Sequence, residues 1–395
     1  MPAIKARLSP HSGRLLLLVA GMALSSADAS PAQNSFYDPP ASEIAGPPGT
    51  LIRQEAVVGA PGGAKAYRIL YRSTGLKGET IAVSALVVVP DNVPPATGRQ
   101  VVAWAHPTSG VVQKCAPSLA RHKFDDIQGL KQMLDQGYVV VATDYPGLGT
   151  AGTHPYLVGS SEAHAVIDSV RAARAIEDAV AGSRYAVWGH SQGGQAVLFT
   201  GILSKSYAPE LQLVGVAAAA PATDLATLLR DDFATMGGKN PTAMTLWSWA
   251  RVFDAPIENV VAPEAMPTVD ALANECIESF FDFVERQLTG RPLDTVFLSV
   301  PDVTEVEPWQ SLMKENTPGV LPGLLPVFLA QGTSDTTVRP AVTEAYMRAL
   351  CKAGSPVEMM VVPKVGHAFI AKHSAEAAVG WIARRFAGSP PPSDC

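Results

Sequence analysis

A serine stands at the centre of Gly189-His190-Ser191-Gln192-Gly193, between an apolar run, Tyr185 to Trp188, and a stretch suited to a helix, Gln192 to Leu203. A serine hydroxyl attacks a carbonyl carbon well only from a tight, exposed turn, beside a base that takes its proton and donors that hold the developing oxyanion. A strand, a sharp G-x-S-x-G turn and a helix supply that setting. Gly189 and Gly193 leave room where a Cβ would collide with the neighbouring strand and helix. Ser191 is therefore the expected nucleophile of an acyl-transfer reaction.

In this arrangement the chain order runs nucleophile, acid, histidine. Asp335 follows the apolar run Val327 to Ala330 in Gln331-Gly332-Thr333-Ser334-Asp335, where a loop leaves the carboxyl end of a core strand. His367 follows Met359 to Val362 in Val365-Gly366-His367-Ala368-Phe369. Asp335 would orient the imidazole, and His367 would deprotonate Ser191 and later protonate the leaving alcohol. Three rivals fit less well. His373 is expected on a helix surface, Asp302 lies within an insertion, and Asp144 precedes the nucleophile and is expected to tie down the loop Tyr145 to Gly149. For the oxyanion, the Gln192 backbone N–H should act with a donor from His106-Pro107-Thr108-Ser109-Gly110. Pro107 has no N–H to give, which leaves Thr108, with Ser109 as the alternative.

These groups must be held by a sheet. Short, almost wholly apolar runs at Val101–Ala105, Tyr138–Ala142, Tyr185–Trp188, Leu213–Ala219, Val327–Ala330 and Met359–Val362 read as strands buried on both faces, hence a parallel sheet. Ala66–Tyr71 and Thr80–Val89 come earlier and suggest an antiparallel edge. Before Ser191, Val166, Ile167, Val170 and Ala173 share one helical face, and Asp168, Arg171 and Arg174 occupy others. The alternation breaks over about residues 222–320, too long for a crossover. That insertion holds Leu246-Trp247-Ser248-Trp249 and Phe280-Phe281-Asp282-Phe283, broken at Gly237-Gly238. Two compatible expectations follow: a helical subdomain with its own aromatic core, and a cap whose apolar inner wall receives an acyl chain.

At the start, Lys5, Arg7 and Arg14 lead into the apolar Leu15 to Ala20, followed by Ala27-Asp28-Ala29. This pattern predicts a signal peptide over 1–29, cleaved near Ala29, with export to the cell exterior or a periplasm. Residues 30–50, rich in Pro, Ala, Ser and Gly, read as an extended or mobile lead-in. Cys115, Cys276, Cys351 and Cys395 are even in number in a chain bound for an oxidising compartment, so two disulfides are expected, in any of three connectivities. Their spacing does not suit zinc, no HExxH occurs, and neither metal nor cofactor is expected. A net charge of −6 gives no electrostatic reason to bind nucleic acid. A neutral or weakly polar substrate is therefore the default partner.

Gly-His-Ser-Gln-Gly-Gly at 189–194, Cys115-Ala116-Pro117-Ser118, Asp144-Tyr145-Pro146-Gly147-Leu148-Gly149 and His154-Pro155-Tyr156-Leu157-Val158-Gly159 together resemble the secretory lipase family, over about residues 40–388. The resemblance implies an α/β-hydrolase core over 51–221 and 321–388, a helical cap over 222–320, and activity on triacylglycerols or other carboxylic esters. It also implies the pairs Cys115–Cys276 and Cys351–Cys395, and a cap that touches a lipid interface transiently. Pro107 departs from the His-Gly-Thr usual in that loop. The competing readings are a serine peptidase of the same fold and an esterase confined to short-chain or aromatic esters. A peptidase would need a charged or polar anchor for a peptide terminus, and the insertion displays aromatics more visibly than convergent Arg or Glu.

Overall fold

The computed structural model describes residues 36–232 and 238–395. The leader, the first part of the lead-in and most of the break at Gly237-Gly238 lie outside them. Nine strands form one sheet: β1 (Leu51–Val57), β2 (Lys65–Thr74), β3 (Thr80–Val89), β4 (Arg99–Ala105), β5 (Val139–Thr143), β6 (Ala181–His190), β7 (Gln212–Ala219), β8 (Val327–Gly332) and β9 (Val357–Val362), in the order β1-β2-β3-β5-β4-β6-β7-β8-β9. β1 to β3 pair antiparallel, as do β3 and β5, and the remaining pairings are parallel. This is the doubly wound, mostly parallel sheet of an α/β-hydrolase, and the apolar runs explain it. β4 and β5 are buried along nearly their whole length, with Val101, Val102, Val139 and Val141 at zero exposure, so only helices on both faces can cover them.

The helices are α1 (Ala41–Ile44), α2 (Leu130–Asp135), α3 (Gly159–Ala173), α4 (Gln192–Tyr207), α5 (Leu225–Asp232), α6 (Lys239–Val252), α7 (Met266–Ala273), α8 (Phe280–Thr289), α9 (Trp309–Glu315), α10 (Pro340–Lys352) and α11 (Ile370–Phe386). α3 departs from the amphipathic pattern, because Asp168 is buried. Its carboxylate accepts from Ser73 Oγ (2.8 Å) and Tyr207 Oη (2.7 Å), and Arg171 Nη1 lies 2.9 Å away. Burial raises Asp168 to about 6 despite those donors. A charged letter on the helix thus marks an internal bond to β2, not a solvent face.

From Phe36 on, the lead-in is packed. Phe36 and Tyr37 are buried beside Leu70 and Ala82, the Arg68 guanidinium lies 5.2 Å from the Tyr37 ring centroid, and the Tyr37 hydroxyl meets Ser118 Oγ at 2.6 Å. β1 is half exposed and carries Arg53, Gln54 and Glu55, which hides it from an apolar-run reading.

Between β7 and β8 the described residues form α5 to α9 and add no strand to the sheet. Their apolar residues, including Leu246, Trp249, Val269 and Trp309, belong to the same cluster as Trp104 and Trp188 of the sheet. The insertion therefore shares the main core. α6 is also tied down by polar bonds: Trp249 Nε1 donates to Tyr156 O (2.8 Å) and Ser248 Oγ to His154 O (2.6 Å). Two disulfides complete the frame, Cys115–Cys276 and Cys351–Cys395.

Candidate active site

Ser191 sits between the end of β6 and the start of α4 with φ 59° and ψ −116°, a conformation that L-residues rarely adopt. The turn is this sharp because the surrounding glycines allow it. A Cβ on Gly189 would fall 2.2 Å from Gly193 O, and one on Gly193 would fall 2.0 Å from Ala105 O and 2.6 Å from His106 O. The backbones of β4 and α4 consequently close on each other beneath the serine. As the first residue of α4, Gln192 presents a backbone N–H with no intrahelical partner.

Two loops from the β8 and β9 ends meet the serine. His367 Nε2 lies 2.8 Å from Ser191 Oγ, and His367 Nδ1 lies 2.8 Å from Asp335 Oδ2. Nδ1 therefore carries the proton it donates to the carboxylate, and Nε2 is the acceptor for the serine hydroxyl. Asp335 is buried and its position is overdetermined. Oδ1 accepts from Thr337 N and Val338 N, both at 2.9 Å, and Gln331 Nε2 donates to Oδ2 at 3.3 Å. Ser191, Asp335 and His367, far apart in sequence, are thus hydrogen-bonded in series.

Of the rivals, His373 is exposed on α11, and Asp302 caps Thr304 N (2.8 Å). Asp144 holds a different loop from the one expected. It accepts from Ser118 N (2.8 Å), Ser118 Oγ and Ser84 Oγ, so it binds the Cys-Ala-Pro-Ser segment to β3.

Thr108 and Ser109 both line the cavity that opens beside Ser191. The Thr108 hydroxyl bonds Tyr156 Oη at 2.9 Å, and the buried Ser109 Oγ has no partner among the described residues. The cavity, about 490 Å³, is walled largely by apolar side chains such as Leu86, Ile127, Leu228, Leu229, Met244 and Phe369. Three polar groups beside the site were not singled out from sequence. The His190 ring packs 4.9 Å from that of His367, and burial pushes its pKa well down, so it stays neutral against the His367 imidazole. Glu162 lies behind Gln192. Arg286 of α8, fully buried, reaches the cavity wall from the insertion while its Nη1 donates to Leu272 O and Glu275 O, both at 2.7 Å. Nothing in the local sequence of α8 separates that arginine from an exposed one.

Comparison with known proteins places the geometry in context. A protein of Mycobacterium tuberculosis named "probable inactive lipase" is 26% identical, over 91% of this chain and 83% of its own. A secreted triacylglycerol lipase of Malassezia globosa is 27% identical, over 82% of this chain and 72% of its own. Among solved structures, Candida antarctica lipase A superposes with a TM-score of 0.75 at 20% identity, covering 93% of this chain and 89% of the other. The family model described as secretory lipase matches residues 123–394, more than half of the sequence, and the chain belongs to that family.

Proposed function

We propose that this chain is a secreted serine carboxylic ester hydrolase, a triacylglycerol lipase or esterase, with Ser191 as nucleophile, His367 as general base and acid, and Asp335 as the group that orients His367. The observation that carries the reading is the relay of two 2.8 Å bonds from Ser191 Oγ through His367 to Asp335, beside an apolar cavity large enough for an acyl chain. As Ser191 Oγ bonds to the ester carbonyl carbon, its proton passes to His367 Nε2. The oxyanion of the tetrahedral intermediate is held by the Gln192 N–H, with Thr108 as the second donor and Ser109 as its alternative. Collapse breaks the bond to the alcohol, which leaves with the proton from His367. Water then repeats the sequence on the acyl-enzyme, releasing the acid and restoring Ser191.

Residues 222–320 act as a cap over a core formed by 51–221 and 321–388. α8 supports a transient contact with a lipid surface, because Phe281 is 82% exposed and Val284 and Leu288 flank it in the open. The leader over 1–29 directs export, which suits the two disulfides.

The test is covalent labelling with a fluorophosphonate, mapped by peptide mass spectrometry, combined with rates on p-nitrophenyl esters from acetate to palmitate and on emulsified triglyceride. Labelling at Ser191 and ester turnover are expected. Absence of labelling on folded protein overturns the enzyme reading, and cleavage of short esters with no action on emulsions removes lipase in favour of esterase.

A further inference from the structure

Glu162, in the first turn of α3, has no exposed surface, and among the described residues no cation acts on it. One oxygen is well used: Oε1 accepts from Leu157 N (3.1 Å) and from Gln192 Nε2 (2.7 Å). The other, Oε2, has no partner among the described residues, and neither has Gln192 Oε1. A buried carboxylate with a bare oxygen, next to a buried amide with a bare oxygen, is costly because neither acceptor recovers the hydrogen bonds it made to water. Both orphans sit on groups already joined by the Nε2 to Oε1 bond. A proton on Glu162 Oε2 would turn that oxygen into a donor for Gln192 Oε1, and with the existing Nε2 to Oε1 bond would close a two-point acid–amide ring.

The surroundings favour that proton. His154 Nε2 is 3.8 Å from Glu162 Oε1 and cannot offer a charge, since burial lowers its pKa to about 3; its Nδ1 donates to Pro146 O (2.9 Å) and its Nε2 accepts from Gln192 Nε2 (2.8 Å). Tyr145, which feels the Glu162 charge, is held neutral by burial. Desolvation raises the Glu162 carboxyl to about 8, against the opposing pull of the Gln192 and Leu157 donors.

We infer that Glu162 is a positioning residue for the oxyanion donor at Gln192, acting as a neutral acid whose ring with the Gln192 side chain fixes that residue's backbone N–H. The ring stands independently of any chemistry. Its catalytic consequence rests on the ester-hydrolase reading, in which the Gln192 N–H meets the oxyanion. Ionisation of Glu162 removes the O–H donor, sets two acceptors against each other and loosens residue 192, so turnover falls as pH rises through the titration.

Two measurements on the full protein test this. In infrared difference spectra, a carboxylic-acid C=O band absent from Glu162→Gln should be present at neutral pH and vanish on alkaline titration; its absence at neutral pH overturns the neutral acid whether or not the protein hydrolyses esters. In pH profiles on a p-nitrophenyl ester, Glu162→Gln, whose amide keeps both ring bonds, should retain kcat at pH 7 within about 3-fold and lack the alkaline fall of the unaltered protein. Glu162→Leu should lose about 10-fold or more in kcat with KM little changed, because only transition-state contacts suffer. A wild-type alkaline fall that persists in Glu162→Gln, or a Glu162→Leu protein with full kcat, overturns the positioning role. If Glu162→Leu does not fold, the infrared band and Glu162→Gln still decide. Loss of fluorophosphonate labelling in the unaltered protein would instead strike the hydrolase reading and leave the ring standing.

Discussion

Gly193→Ala should cripple both stability and turnover, and the reason is geometric. The new Cβ would lie 2.0 Å from Ala105 O, 2.4 Å from Ala105 C and 2.6 Å from His106 O, whereas Cβ contacts below 3.0 Å are essentially never tolerated. All three atoms are backbone, at the end of the central strand β4, so no flexible side chain can yield. Opening the shortest contact to 3.0 Å requires the end of β4 and the first turn of α4 to separate by about 1 Å. Overpacking of this kind costs about 1–3 kcal/mol when side chains can adjust, and about 3 kcal/mol or more is expected when a central strand must move. The same 1 Å displaces the loop carrying Thr108 relative to Ser191, which should lower kcat about 100-fold in whatever protein still folds. Gly319→Ala is the control, since a Cβ there meets nothing within 4 Å. Thermal denaturation and kcat on a p-nitrophenyl ester read out both effects. A Gly193→Ala protein that matches Gly319→Ala in melting temperature and kcat would refute the close approach of β4 and α4.

Other perturbations separate the remaining roles. His367→Ala should reduce kcat by about 10⁴-fold or more and leave the melting temperature nearly unchanged, because the ring lies at the cavity wall; retained activity would show that another group is the base. Thr108→Val should lower kcat about 10- to 100-fold at similar KM if its hydroxyl is the second oxyanion donor, and an unchanged kcat, with the loss appearing in Ser109→Ala, transfers that role to Ser109. Removing Cys115–Cys276, which spans 161 residues, should cost up to about 5 kcal/mol, and removing Cys351–Cys395, which spans 44, up to about 4 kcal/mol, as read by chemical denaturation; the reverse order would show that loop closure does not set their contributions.

What could be read from sequence is what local composition encodes. β4 to β8 announce themselves because strands covered on both faces tolerate little besides Val, Ala, Leu and aromatic residues. Ser191 announces itself because the elbow requires glycine where backbones touch. Asp335 and His367 follow from chain order once the elbow is accepted. β1 was not legible, since an edge strand with Arg53-Gln54-Glu55 looks like any polar stretch. Nor was Asp168, because a buried carboxylate on a helix reads as a surface one until Ser73 and Tyr207 are seen around it. Asp144 ends a strand as supposed, yet its partner is Ser118, twenty-six positions earlier. The Glu162–Gln192 bond, across thirty positions, and the reach of Arg286 to the cavity are products of helix packing that no single-chain periodicity contains.

Family membership and activity are separate inferences here, and the relatives show why. A protein matching 91% of this chain carries the name "probable inactive lipase", while another, similar at nearly the same identity, is named a secreted triacylglycerol lipase. The shared fold therefore does not by itself carry catalysis. An α/β-hydrolase sheet needs its buried Val and Ala runs whatever the chemistry, but it has no structural need for a serine at φ 59° or for a histidine bonded to both that serine and a buried aspartate. Strained backbone of this kind persists only where surrounding packing overdetermines it, as the Gly189 and Gly193 contacts do. The tight approach at Gly189 and Gly193 beneath Ser191, with His367 bonded to both Ser191 and Asp335, is the physical argument for the proposed enzyme, and fluorophosphonate labelling of Ser191 is the measurement on which it stands or falls.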